Sequence, residues 1–259
     1  GIIISSNDSS IFSYFSNSKK ILWLHNPLQI EKSIRKKQFF FIVKHKPIVV
    51  FVSKYLDSIT SKLYPFKKRS VIPNSLSSVF TNLVKLKKRK PIFVWSVQRH
   101  RGLDETINMW IKYVYPASDS AKFYILGINK LPKKYKKKYL NSKNIFFVGR
   151  VSKIRLRNIY TQSTAMICLG FDETFCLNAL EANSCGLPVI TFGKTALKDF
   201  IRNKYNGFIV DDYKKLSNKI ISILQMNNTD KNKLSTNSIL FSKKYHTSKI
   251  NYKWLKLLK

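Results

Sequence analysis

Acid is what this sequence has least of: Asp and Glu supply 13 of its 259 residues against 48 Lys and Arg, for a formal net charge of +35. That imbalance predicts attraction to phosphates, nucleic acid, anionic lipid or an anionic substrate, with part of the lysine content left as ordinary solvated surface. Cysteine is scarce as well. Cys168, Cys176 and Cys185 are odd in number and form no CxxC pair, which argues against a disulfide framework and predicts reduced, buried thiols in a cytoplasmic protein. His25, His45, His100 and His246 are scattered, so no zinc-ligand pattern is present, and no Asp-x-Asp metal motif occurs. Apolar runs such as FFFIV at 39–43 fall far short of the roughly 20 residues that span a bilayer, so neither a transmembrane helix nor a signal peptide is expected. The chain opens on Gly1 and runs straight into III, the expectation being that its true N-terminus lies upstream.

With 44% hydrophobic and 14% aromatic residues, the chain has enough apolar material for one large domain or two small ones. From Pro91 onward, short apolar runs alternate with helical patterns. PIFVWSV, KFYILG, NIFFVG, AMICLG, PVITF and GFIV are each followed by a helix-like stretch. This rhythm predicts an α/β fold with doubly wound parallel sheets. A shorter version precedes it, with candidate strands at 2–4, 21–25, 49–53 and 70–74. The expected organisation is a small or truncated N-terminal Rossmann-like domain at 1–84, a basic linker at 85–90 and a second Rossmann-like domain at 91–245. A terminal helix at 246–259, with Ile250, Trp254 and Leu257 on one face, is expected to pack back on the first domain.

Two of the rare acids, Glu173 and Glu181, stand eight residues apart in DETFCLNALEANSCGLPVI. The pattern puts Glu173 in the loop after AMICLG and Glu181 about one turn into the following helix, both at the C-terminal edge of a parallel sheet, where such folds bind ligands. Amides at the helix start, near Cys176 to Asn178, would favour a phosphate. Glu181 suits a pair of ribose hydroxyls, and Glu173 suits hydroxyls of whatever lies beyond the phosphates. Spacing alone equally allows a helix cap and a solvated helix position.

The stretch E-TFCLNAL-E-ANSCGLPVI resembles the hallmark of the retaining nucleotide-sugar glycosyltransferases of the GT-B fold, in the family called glycosyl transferases group 1. NIFFVGRVSKIRLRNIYTQ, HRGLDETINMWIKYV, VVFVSKYLDSITSKLYPFKKRSVIPNS and NGFIVDD resemble further segments of that family in the expected order, covering most of 21–224. The resemblance implies that Glu181 binds the donor ribose and that Glu173 contacts the transferred sugar. It implies that Arg101, before Gly102, neutralises the diphosphate leaving group, with the backbone at Phe175, Cys176 and Leu177 meeting sugar or diphosphate. The family's second basic residue is replaced by Ser96, for which Arg99 is the substitute, read equally as an exposed loop arginine. Gly149 and Arg150 resemble the loop that lies against the base, Arg150 reading equally as surface charge. His25 resembles an acceptor-side histidine and also suits a structural role. Cys176 and Ser75 stand where glycine is usual. The first strands of the N-domain are absent, so either a fragment or a reduced enzyme is expected.

The activity implied is retaining transfer of a sugar from a nucleotide sugar to a lipid-linked, lipopolysaccharide or polysaccharide acceptor. No metal or other cofactor is expected, because Arg101 and the helix start would stabilise the departing diphosphate. The two glutamates are not read as a glycosidase pair. QIEKSIRKKQFFFIVKHK combines basic and aromatic residues as a face for anionic lipid does, although FFFIV reads equally as a buried segment. Peripheral attachment to the cytoplasmic leaflet is therefore expected. The competing classes are a nucleic-acid-binding protein, for which no helix-turn-helix, zinc-finger or RNA-recognition signature is present, and an inactive glycosyltransferase-like binding module.

Overall fold

A computed structural model describes residues 1–15, 17–81 and 88–259; positions 85–87 of the expected linker lie outside these. The chain divides into two compact units. One comprises 1–75, 173–175 and 247–259, and the other 76–172 and 176–246.

The first unit is built on a four-stranded sheet, β1 (Ile2–Ser6), β2 (Lys19–Leu24), β3 (Ile48–Phe51) and β4 (Lys68–Val71), in that spatial order. Every pairing is parallel. β3 reads IVVF and is buried at all four positions, as expected of a parallel strand covered on both faces. Ser53 caps the helix Lys54–Ile59 by accepting from Leu56 N–H at 3.0 Å. The terminal helix Thr247–Leu258 lays Ile250 into a core with Ile21, Ile48, Val50 and Ile72. Burial of one such isoleucine contributes about 1.5–3 kcal/mol. Trp254 meets Trp23 edge-on at 5.3 Å, and Lys19 Nζ donates to the carbonyls of Leu257 and Leu258 at 2.8 and 3.1 Å, a cation at the negative end of the helix.

The second unit carries a six-stranded parallel sheet in the order β10-β9-β8-β5-β6-β7. The strands are β5 (Ile92–Trp95), β6 (Lys122–Leu126), β7 (Ile145–Gly149), β8 (Ala165–Ile167), β9 (Val189–Thr191) and β10 (Gly207–Ile209). Each apolar run read from the sequence is one of these strands. Ordered within the unit, this is the doubly wound 3-2-1-4-5-6 arrangement, and its direction reverses between β5 and β8. Trp110 stacks on Phe123 at 5.1 Å and meets Phe93 at 5.8 Å, fixing helix to sheet. Asp212 caps the helix Tyr213–Gln225, as its position after a strand suggests.

Arg89 holds the helix ends of this unit together. Its guanidinium donates to Tyr160 O and Ser163 O at the end of the helix Lys153–Gln162, at 3.3 and 2.5 Å. It also donates to Cys185 O and Gly186 O, just past the helix Leu177–Ser184, at 3.2 and 2.5 Å, and to Ser235 Oγ at 3.1 Å. All five donors are used and the carbonyls lie at negative helix ends, which is how a half-buried cation persists without an ion-paired acid among the described residues. Burial pushes its pKa down to about 10.

Candidate active site

The C-terminal ends of β5 and β8 flank the point where strand order reverses, and the loops leaving them carry the residues singled out above. After β5, Arg99–Arg101 form a single 3-10 turn closed by Gly102 at φ +98°. A Cβ at Gly102 would sit 2.8 Å from Leu169 Cδ1 and 3.0 Å from Phe171 Cε2 and Tyr213 Oη. Both the left-handed backbone and the crowding require glycine, which explains the Arg-Gly pair. Arg101 Nη2 donates to Asp172 O at 3.2 Å, joining the two loops at the switch point. Asn178 Nδ2 makes a second link, to Ser96 O.

Glu181 lies in the second turn of the helix Leu177–Ser184 and is 1% exposed. Its Oε1 accepts from Lys153 Nζ at 2.5 Å, while its Oε2 is buried with no hydrogen-bond partner among the described residues. Burial raises the carboxyl pKa and the Lys153 ammonium opposes the rise. Lys153 is the first residue of its helix, which Ser152 caps, and its Nζ stands 5.5 Å from the centre of the Phe80 ring. Sequence reading missed Lys153. The available signal was that a helical acid in the core needs a cation, and a lysine directly behind a Ser cap is well placed to supply one.

Cys176 is the cap residue of the Glu181 helix, at φ +62° and ψ +66°. That left-handed conformation is the physical reason glycine is usual there, and here a buried thiol occupies it, 3.5 Å from Cys168 Sγ. Its hydrogen bond to Cys168, then burial, raises the thiol pKa well above normal. Leu177 opens the helix half-buried, and its amide and that of Asn178 lie in the first turn, where no intrahelical partner exists.

Glu173 and Phe175 are buried and, with Thr174, belong to the compact unit built on the first sheet, where Ser53 Oγ donates to Thr174 O at 2.6 Å. His25 follows β2 in that unit. Its N–H donates to Asn7 Oδ1 at 2.8 Å, its ring lies 4.4 Å from that of Trp23, and burial lowers its pKa. Arg99 is held by Asp104, at 2.8 Å to Oδ2 and 3.3 Å to Oδ1. Lys134 Nζ at 2.9 Å and Tyr135 OH at 3.2 Å complete that cluster. Burial would raise the Asp104 carboxyl, but the hydrogen bonds and charges of Arg99 and Lys134 outweigh it and hold the pKa low. Ser96 is buried and shares a 2.5 Å hydrogen bond with Tyr160 OH, so at the family's second basic position this chain places a packing residue. Gly149, at φ +78°, accepts from Gly127 N–H at 3.0 Å, and Arg150 beside it is exposed.

Two parallel-sheet Rossmann-like units, with a basic loop and an acid-bearing helix at the second unit's switch point, define the GT-B class of glycosyltransferase folds. The glycosyl transferases group 1 family matches residues 78–239, well over half of the chain, and the chain belongs to that family. Among solved structures, a TarM variant from S. aureus in complex with fondaparinux, alpha-GlcNAc-glycerol and UDP has a TM-score of 0.78 at 18% identity. The match covers 99% of this chain and 55% of that one. HepE from Anabaena in complex with UDP has a TM-score of 0.75 at 14% identity, covering 98% and 78%. Sucrose-phosphate synthase from Thermosynechococcus elongatus has a TM-score of 0.74 at 15% identity, covering 99% and 72%. These likenesses are of fold, and the chain spans about half the length of TarM. No curated protein matches it.

Proposed function

We propose that this chain is a nucleotide-sugar glycosyltransferase that transfers the sugar with retention of anomeric configuration. The observation that carries the reading is the state of Glu181: one oxygen is tied to Lys153 and the other is buried without a partner among the described residues. An unpaired buried carboxylate oxygen costs about 1–3 kcal/mol, and a ribose hydroxyl pair would recover that cost. Arg101 and the first amides of the Glu181 helix supply donors for the diphosphate, and the Glu173 carboxylate accepts from hydroxyls of the sugar. Breaking the bond from the anomeric carbon to phosphate oxygen leaves negative charge on the diphosphate, which these fixed donors stabilise without a metal. UDP in the TarM and HepE complexes favours a uridine nucleotide as donor.

The acceptor is proposed to be an anionic or lipid-linked glycan. The first unit has a polar cavity of about 150 Å³ at the C-terminal ends of β1 and β2, where Asn7, Asn26 and Gln29 meet Lys32 and Lys36. Beside it, the helices Ile30–Arg35 and Gln38–His45 expose Ile34, Phe40 and Val43 among Lys32, Arg35, Lys36, Lys37 and Lys44. Basic side chains around exposed apolar ones suit the headgroup boundary of an anionic leaflet, supporting peripheral attachment to the cytoplasmic face.

Thermal shift against UDP, GDP, ADP and CMP sugars tests the donor reading. Stabilisation by one nucleotide class, lost in Glu181→Ala, is expected; stabilisation by none would remove it. Flotation with anionic liposomes at low and high salt tests the membrane reading, with Phe40→Ser expected to reduce flotation. Binding of random RNA or DNA that outlasts physiological salt would favour the nucleic-acid alternative.

A further inference from the structure

The second unit has a cleft of about 540 Å³ at the opposite edge of its sheet from Glu181 and Arg101. It opens beside the first residues of β5 and β6 and is walled by one face of the helix Lys153–Gln162. From that helix Arg155, Asn158 and Gln162 line it, a spacing that puts all three on one stripe. Lys90 and Lys122 face them from the strand side, so three cations surround the space and no acid is among its described lining residues. Ile92, Ile159 and Tyr124 add a half-apolar wall, the Tyr124 ring set edge-on to Phe146 at 5.6 Å.

The frame of this cleft is fixed by hydrogen bonds to backbone carbonyls. Lys90 N–H donates to Gln162 O at 2.7 Å, Thr164 Oγ1 donates to Lys90 O at 2.7 Å, and Lys122 N–H donates to Pro91 O at 2.8 Å. The Lys122 ammonium rests 5.9 Å from the centre of the Phe146 ring. A preformed cleft with an aromatic and aliphatic wall, carboxamides able both to donate and to accept, and cations with no acid between them has a definite complement. That complement has an apolar ring face, hydroxyls and regularly placed negative charge.

We propose that this cleft is a second, non-catalytic binding site that takes an anionic oligosaccharide. Sugar rings lie against Tyr124 and Ile159, hydroxyls meet Asn158 and Gln162, and acidic groups meet Lys90, Lys122 and Arg155. The site is independent of the donor reading, because none of its residues belongs to the loops at the switch point.

Fluorescence anisotropy of a labelled hexagalacturonate, without nucleotide, tests it at about 150 mM sodium chloride, where charges beyond about 8 Å are screened. Lys122→Ala with Arg155→Ala is expected to weaken binding about tenfold or more, by loss of two charge-assisted contacts. Lys137→Ala with Lys138→Ala removes the same charge from an exposed helix and is expected to change affinity less than about twofold. Tyr124→Ala, which leaves charge unchanged, is expected to weaken binding about threefold or more. Equal losses in the two double variants, no effect of Tyr124→Ala, equal competition by decathymidylate, or no binding by the unaltered protein would each overturn the proposal. Nucleotide binding measured on the same samples reports separately on Glu181.

Discussion

Lys153→Met is the substitution that interrogates the Glu181 site most directly. It keeps most of the aliphatic stem and removes the charge, leaving a carboxylate that is 1% exposed without the one hydrogen-bond donor it has among the described residues. Removing one member of a fully buried pair costs about 3–5 kcal/mol, whereas exposed pairs contribute about 0–1. Lys153 is half exposed, so solvent screens its side and the expected cost falls between, at about 1–3 kcal/mol. For a unit of this size that lowers the melting temperature by about 3–9 °C near neutral pH. The pH dependence follows from linkage. The folded state raises the Glu181 pKa above its ordinary 4.5, so it binds the proton more tightly than the unfolded chain does. Stability from this group therefore falls as pH rises from the ordinary carboxyl value through the raised one, and is level above it. Without Lys153 the pKa rises further, so the gap between variant and wild type is small near pH 4.5 and opens as pH increases. Scanning calorimetry across that range measures the gap, and Lys153→Met with Glu181→Gln closes the double-mutant cycle. A gap that does not change with pH, or a double variant as unstable as Lys153→Met alone, would refute the assignment of a buried charge to Glu181.

Arg89→Leu, followed by urea unfolding, is expected to cost about 3–5 kcal/mol, because it strips donors from four helix-end carbonyls at once; Arg89→Lys recovers only part, having no fork to reach both helices. Gly102→Ala, measured by thermal melting, is expected to destabilise by about 1–3 kcal/mol, from its left-handed backbone and the approach of Leu169. At Cys176 the ranking in a melting series is expected to be Gly least and Val most destabilising, with about 1–2 kcal/mol between them, because the cap residue sits at φ +62°.

The strands were open to sequence reading because their signal is local. IVVF in β3 and IFVW in β5 are apolar at every position, as strands buried on both faces must be, and turn residues bound them. Glu173 and Glu181 were visible for the same reason: a motif is a spacing, and spacing survives in one dimension. Arg89 was hidden inside a run of basic residues that reads as linker, because its partners lie 71 to 146 residues further along the chain. Lys153 was hidden likewise, by 28 residues of separation from Glu181. Nothing in VKLKKRK marks Arg89 as a cation that folds inward, since composition assigns every cation in such a run to solvent.

Arg89 and Lys153 act on the candidate site at different levels. Lys153 meets Glu181 directly, near the start of one helix and midway along the next. Arg89 grips both of those helices at their C-terminal ends, tying one to the other. A 2.5 Å contact between a flexible lysine and a buried acid demands that the helices hold register, and a five-donor fork on four carbonyls supplies that constraint. If this division is correct, Arg89→Lys should weaken nucleotide binding and shift the pH dependence of stability toward that of Lys153→Met, although Arg89 touches neither Glu181 nor Lys153. A loss of stability with the pH dependence unchanged would instead confine Arg89 to holding the fold.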